Sequence, residues 1–84
     1  MHFDETINRY VLELDPSKTL RMSVNDETKM LMNELKIPGK YTVCLDVGNH
    51  SKGDALVAIF NRLHLYGCRV EIPFGSNDII VEVV

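Results

Sequence analysis

Apolar and polar residues alternate along two stretches near the start of the chain. Apolar side chains occupy every second position in both: Tyr10, Leu12 and Leu14, then Leu20, Met22 and Val24. Asp15-Pro16-Ser17-Lys18 lies between them, and Asp followed by Pro is typical of the first positions of a β-turn. The pattern therefore predicts a β-hairpin over residues 10–24. The preceding residues 1–8 are either a short helix capped by Asp4 or a loosely ordered lead-in.

Two later stretches have the period of an α-helix. The first begins at Asn25 or Asp26, places Met30, Leu31 and Leu35 on one face, and ends before Pro38-Gly39. The second begins at Ser51, whose spacing to Asp54 is that of a capping box. Its expected buried stripe consists of Leu56, Ile59, Phe60 and Leu63. Gly67 is placed to end this helix in the left-handed conformation.

Three further stretches alternate like strands, and they complete the predicted fold. They cover Lys40–Val47, Cys68–Phe74 and Ile79–Val84, with Cys68, Val70, Ile72 and Phe74 expected to point inward. The order is then β-β-α-β-α-β-β. It predicts a single compact α+β domain over residues 1–84, a two-layer sandwich of a five-stranded mixed sheet with two helices on one face.

Composition narrows the class of protein. The chain has 84 residues, is 45% apolar and carries a formal charge of −3, which gives no general attraction for phosphates. Its first residues lack the features of a signal peptide, and no stretch approaches the ~20 apolar residues of a membrane span. We therefore expect a cytoplasmic location and no membrane partner. Cys44 and Cys68 point to opposite faces of the predicted sheet, which favours free thiols.

The loop after the central strand is the main candidate for chemistry. Gly48, His50, Ser51, Lys52 and Gly53 precede a helix N-terminus, where free N–H groups favour anions. The spacing matches neither a P-loop nor a dinucleotide fingerprint, so the alternative is that Ser51 and Asp54 simply cap the helix. Adjacent His50 and Ser51 do not suit a catalytic triad, and the local acids do not have zinc-site spacing. We expect no catalytic residue, metal or cofactor.

The last strand is the candidate for an interface. Ile80, Glu82 and Val84 would share the outer sheet face with Arg21 and Arg69. A terminal strand that is apolar on both sides suggests an edge covered by a second copy or by a target protein. The alternative is a central strand with two exposed aliphatic side chains.

Three classes of function remain open from the sequence. The first is a non-catalytic protein–protein interaction module, a small regulator, inhibitor or accessory subunit of the size common among viral and bacterial accessory proteins. The second is a nucleic-acid-binding module, which is less favoured because Glu13, Glu71 and Glu82 share the outer face with its cations. The third is a small ligand- or anion-binding domain, or an enzyme, that uses residues 46–54.

Overall fold

The computed structural model describes the whole chain, Met1–Val84, as a five-stranded mixed sheet with two helices. The elements are β1 His2–Asp4, β2 Arg9–Glu13, α1 Leu20–Glu34, β3 Gly39–Asp46, α2 Lys52–Leu65, β4 Arg69–Glu71 and β5 Asp78–Val83. The spatial order is β1-β2-β3-β5-β4, in which only β2 and β3 are parallel neighbours. The predicted α+β class and element order are confirmed.

The core lies between the sheet and the helices. Leu12 and Leu45 are paired across β2 and β3, and Val43 pairs with Ile79 of β5, so these inward side chains form continuous rows. The helices close this face with Val24 and Leu31 from α1 and Ala55, Ile59 and Leu63 from α2. The sheet thus buries one face against both helices, and its other face is open.

The predicted hairpin over residues 10–24 is wrong, because Leu20–Val24 is the start of α1. Ser23 explains the helical choice: its Oγ donates to the Asp15 carbonyl oxygen over 2.9 Å, fixing the first turn of α1 against the preceding loop. Asp15 accepts from Ser17, which gives the expected turn, but the turn leads into a helix. Strand β2 pairs instead with β1 and β3.

The first eight residues are neither a helix nor a loose lead-in. They form β1 and a tight turn, in which the Thr6 N–H donates to Asp4 Oδ1 over 2.9 Å. Asn8 has φ 55°, the left-handed conformation that Asn tolerates at turns. This short strand supplies the second β-element that the prediction had placed at Leu20–Val24.

Several predicted core positions are wrong. Phe60 is 41% exposed, because α2 turns Ala55, Ile59 and Leu63 toward the sheet instead. Phe74 is fully exposed in the loop after β4, which ends at Glu71. On α1, Met22 and Met30 face outward. Met32 of the same helix packs against the core with its Sδ 3.4 Å from Cys68 Sγ.

Strand β5 is not an edge. It is hydrogen-bonded to β3 on one side and β4 on the other, so β1 and β4 form the two edges. Its apolar character follows from this position, since Ile79 and Val81 are buried in the core and Ile80 is half-buried on the outer face. The alternative interpretation, a central strand with exposed aliphatic side chains, is therefore the one that fits β5. Both backbone edges of β5 are occupied by neighbouring strands.

Candidate functional site

The loop after β3 uses its own groups as hydrogen-bond partners. The Gly48 N–H donates to Asp46 Oδ1 over 3.2 Å, and a ring nitrogen of His50 lies 3.0 Å from the Asp15 carbonyl oxygen. Gly48 has φ 57°, and a Cβ there would lie 3.2 Å from the Leu14 carbonyl oxygen. Gly48 therefore serves the close approach of two chain segments rather than the approach of a ligand.

The helix after this loop begins where the sequence predicts, but the predicted capping box is wrong. Ser51 is the N-cap residue and Asp54 lies in the first turn, yet the Ser51 side chain makes no capping hydrogen bond. Lys52 lines a cleft that also contains the carboxylates of Asp4 and Asp46. An incoming anion would meet these two acids beside the lysine. Anion binding by Gly48, His50, Ser51, Lys52 and Gly53 stays a prediction, with no further support.

An acidic cleft lies on the other side of the same loop. Glu13, Asp15, Glu27 and Asp46 line it. Glu27 is 2.8 Å from the Met1 amine, and hydrogen bonds from the Ser17 side chain and backbone hold the pKa of Asp15 below its ordinary value. These side chains do not converge, and no group of three or more metal-ligating residues is present in the structure.

The outer sheet face carries charges that are paired within the protein. Arg9 forms an ion pair and hydrogen bond with Asp78, and Arg69 lies 3.5 Å from Glu82. Cys44 lies on this face, and burial, aided by the nearby Asp78 carboxylate, raises the pKa of its thiol. The predicted interface residues Ile80, Glu82, Val84 and Arg69 do share this face. Arg21 does not, because it belongs to α1.

A second surface, which the sequence pattern did not reveal, lies between the two helices. An open groove of about 430 Å³ runs between α1 and α2, and we call it the interhelical groove. Its lining consists of Leu20, Arg21, Val24, Asn25, Ala58, Asn61, Arg62 and Leu65. Four of these residues are apolar, two are amides and two are arginines. No carboxylate lines it.

The two arginines of the interhelical groove have no acidic partner. Neither Arg21 nor Arg62 forms an ion pair, whereas both arginines of the outer sheet face do. The Arg62 Nε is buried and finds no acceptor, and its guanidinium lies 5.5 Å from the Tyr66 ring centre. A buried N–H without an acceptor costs about 1–3 kcal/mol, so the protein retains a donor that it does not itself satisfy.

One sequence signal for this surface was present. Residues 55–60 form an uninterrupted apolar run, Ala-Leu-Val-Ala-Ile-Phe, in the middle of α2. A helix that is apolar around most of its circumference has more apolar surface than one core can cover. In the structure this excess is exposed: Val57 and Leu65 lie one turn to either side of Asn61 and are mostly accessible to solvent. No pattern in the sequence indicates the positive charge of the groove, because Arg21 and Arg62 are far apart along the chain.

Comparison with protein-family models, with curated proteins and with solved structures gives no significant match to this chain. None of its helices has the length and apolar character needed to cross a bilayer.

Proposed function

We propose that this chain is a non-catalytic protein-binding module, of the type found in small regulators, inhibitors and accessory subunits, and that the interhelical groove is its binding surface. The observation that carries the proposal is the combination of the exposed Leu65 and the half-buried Leu20 and Ala58 with two unpaired arginines in one open groove. Arginine and apolar anchors are typical of the energetic centres of protein interfaces.

The outer sheet face supports this role less well. Its arginines already have acidic partners, and Ile80 is half-buried between neighbouring strands. The same pairing weakens the nucleic-acid alternative, because a phosphate would have to compete with Asp78 and Glu82. The enzyme alternative rests on the loop after β3, where the Gly48 N–H and the His50 ring contact other groups of the protein.

Two matched substitutions test the proposal. Leu65 of the interhelical groove is 77% exposed and Val84 of the outer sheet face is 78% exposed, so an Asp at either position disturbs the core little. Leu65→Asp, Val84→Asp and the wild type would be used as bait in cells that express the protein, with quantitative mass spectrometry of the captured proteins. Circular dichroism would first show that each variant is folded.

We expect at least one protein to be captured by the wild type and by Val84→Asp and to be lost from Leu65→Asp. A partner lost only from Val84→Asp would move the binding surface to the outer sheet face. Capture that is the same for all three baits would contradict a protein-binding role for either surface.

A further inference from the structure

The interhelical groove has a chemical character that specifies its partner more closely. Each of its two helical walls carries one arginine, since Arg21 is in the first turn of α1 and Arg62 is in the last turn of α2. Between and beside them lie apolar side chains, and no carboxylate is present to neutralise either guanidinium. The groove is therefore complementary to a surface that combines apolar and acidic side chains.

The pairing of the arginines shows that this character is specific to the groove. The chain has four arginines. Acids outnumber bases in the chain, which has a net charge of −3. Arg9 and Arg69 on the outer sheet face each contact one of these carboxylates. Only the two arginines of the groove lack one. A carboxylate supplied from outside would give the accessible nitrogens of the Arg62 guanidinium the acidic partner that they lack within the chain.

The shape of the groove favours a helix as the occupant. The groove is formed by side-chain rows of two packed helices, and such a surface receives the ridge of a third helix. Helix-in-groove recognition uses apolar anchors at spacings of three and four residues. Leu20, Ala58 and Leu65 supply apolar contacts for such anchors.

We infer that the interhelical groove binds an acidic amphipathic helix of another protein, with carboxylates that pair with Arg21 and Arg62. The inference rests on the proposed protein-binding function. A second copy of this chain fits less well, because two of the three acids of its own helix α1 already have partners: the Asp26 carboxylate is 3.0 Å from the Lys18 amine, and the Glu27 carboxylate is 2.8 Å from the Met1 amine.

The experiment uses a display library of random 16-residue peptides, selected on the wild-type protein. Selected peptides would be synthesised with a fluorophore and titrated with the wild type, Arg62→Glu, Arg62→Met and Arg21→Glu. Arg69→Glu is the matched control, because it reverses an arginine of the outer sheet face. Nuclear magnetic resonance spectra would show whether each variant is folded. If Arg62→Glu does not fold, Arg62→Met replaces it, because Met removes the charge and keeps an apolar side chain of similar length.

We expect the selected peptides to carry a net negative charge and an apolar stripe of helical period. Their affinity should fall about tenfold or more in Arg62→Glu and Arg21→Glu and change less than about twofold in Arg69→Glu. Replacing the peptide acids by lysines should abolish binding to the wild type and restore it to the Arg21→Glu, Arg62→Glu double variant.

The outcomes separate this inference from the proposed function. Neutral or basic peptides that lose affinity in Leu65→Asp would overturn the acidic partner and leave a protein-binding groove. Failure to select any peptide that depends on Leu65, Arg21 or Arg62 would overturn both. A wild-type dimer in light scattering that Leu65→Asp dissociates would assign the groove to a second copy. Leu65-dependent binding of a single-stranded thymidine 16-mer would assign it to nucleic acid. Either result would overturn the inference.

Discussion

The outer sheet face and the helical layer are the two open sides of one sandwich, and they differ in how their arginines are paired. On the outer sheet face, Arg9 and Arg69 contact Asp78 and Glu82. On the helical layer, Arg21 and Arg62 line an apolar groove without any acidic partner. Residues of identical charge are thus neutralised within the protein on one side and left unneutralised on the other.

This difference distinguishes a surface that is complete from one that is open to a partner. Cross-strand ion pairs on an exposed sheet hold opposite charges in register and leave little for a partner to gain. The guanidinium groups of Arg21 and Arg62 can still form ion pairs with carboxylates of a partner. The following predictions test the difference, first by separating the two sides of α2.

The largest expected change in stability comes from substitutions in α2, which forms one wall of the interhelical groove. Leu63 is fully buried and Phe60 is 41% exposed, although they are neighbours on α2. Leu63→Ala should lower the free energy of unfolding by about 2–5 kcal/mol through lost burial and a cavity. Phe60→Ala should lower it by about 1 kcal/mol, because much of its ring stays in solvent. Urea denaturation measures both, and equal losses would show that the outer side of α2 is part of the core.

The second prediction compares the arginines themselves. Arg9→Ala removes a paired guanidinium from the outer sheet face and should lower the free energy of unfolding by about 0.5–1 kcal/mol. Arg62→Met removes an unpaired one, together with its unsatisfied Nε, and should leave the free energy of unfolding unchanged or raise it by up to about 3 kcal/mol. Denaturant titration of the isolated protein gives both values. A loss of stability for Arg62→Met would mean that this arginine supports the fold, and the contrast between the two faces would fail.

Most strands and helices beneath the outer sheet face and the interhelical groove can be predicted from the sequence. Alternation in Lys40–Val47 and Ile79–Val84 finds β3 and β5, since both strands bury their inward side chains more deeply than their outward ones. Gly67, at φ 82°, ends α2 as expected. The start of α1 is missed because Leu20, Met22 and Val24 fit a period of two, while Leu20 and Val24 also fit a helical turn. In the structure Val24, Thr28 and Leu31 are buried at helical spacing while Met22 is exposed, and the Ser23 hydrogen bond to Asp15 stabilises the first turn.

The candidate surface is less predictable than the fold, for a physical reason. Periodicity identifies which side chains a helix buries only when the position of the sheet is known. A rotation of α2 by a fraction of a turn exchanges Phe60 for Ala55 in the core. The groove needs a further step, because its charge depends on Arg21 and Arg62 from different helices and on the absence of nearby acids. No local pattern contains that information.

The third prediction concerns the two thiols, one on each side of the sheet. Burial raises the pKa of both Cys44 and Cys68, so the folded protein holds them neutral above the ordinary thiol pKa. Their contribution to stability is complete below the unfolded pKa of about 8.5 and is lost as pH rises through the folded values. Wild type should therefore lose stability above this pH more steeply than a Cys44→Ser, Cys68→Ala double variant.

Alkylation distinguishes the two thiols. Cys44 is half-buried on the outer sheet face, whereas Cys68 is buried in the core beside Met32. Iodoacetamide at neutral pH should modify Cys44 slowly and Cys68 only at the rate of unfolding, with mass spectrometry of tryptic peptides as the readout. Equal rates for the two would place Cys68 outside the core.

The smallest expected effect is that of anions on the melting temperature through the loop after β3. Like the arginines of the outer sheet face, the Gly48 N–H of this loop already has a carboxylate partner within the protein. The Gly48 N–H already has a carboxylate acceptor in Asp46, and Lys52 shares its cleft with Asp4 and Asp46. Sulfate and phosphate should therefore raise the melting temperature no more than chloride of equal ionic strength, in wild type and in Lys52→Ala alike. A saturable rise that Lys52→Ala removes would show that an external anion displaces Asp46 from the Gly48 N–H. The loop would then belong with the interhelical groove, as a second place where this protein leaves cationic and N–H donors for a ligand.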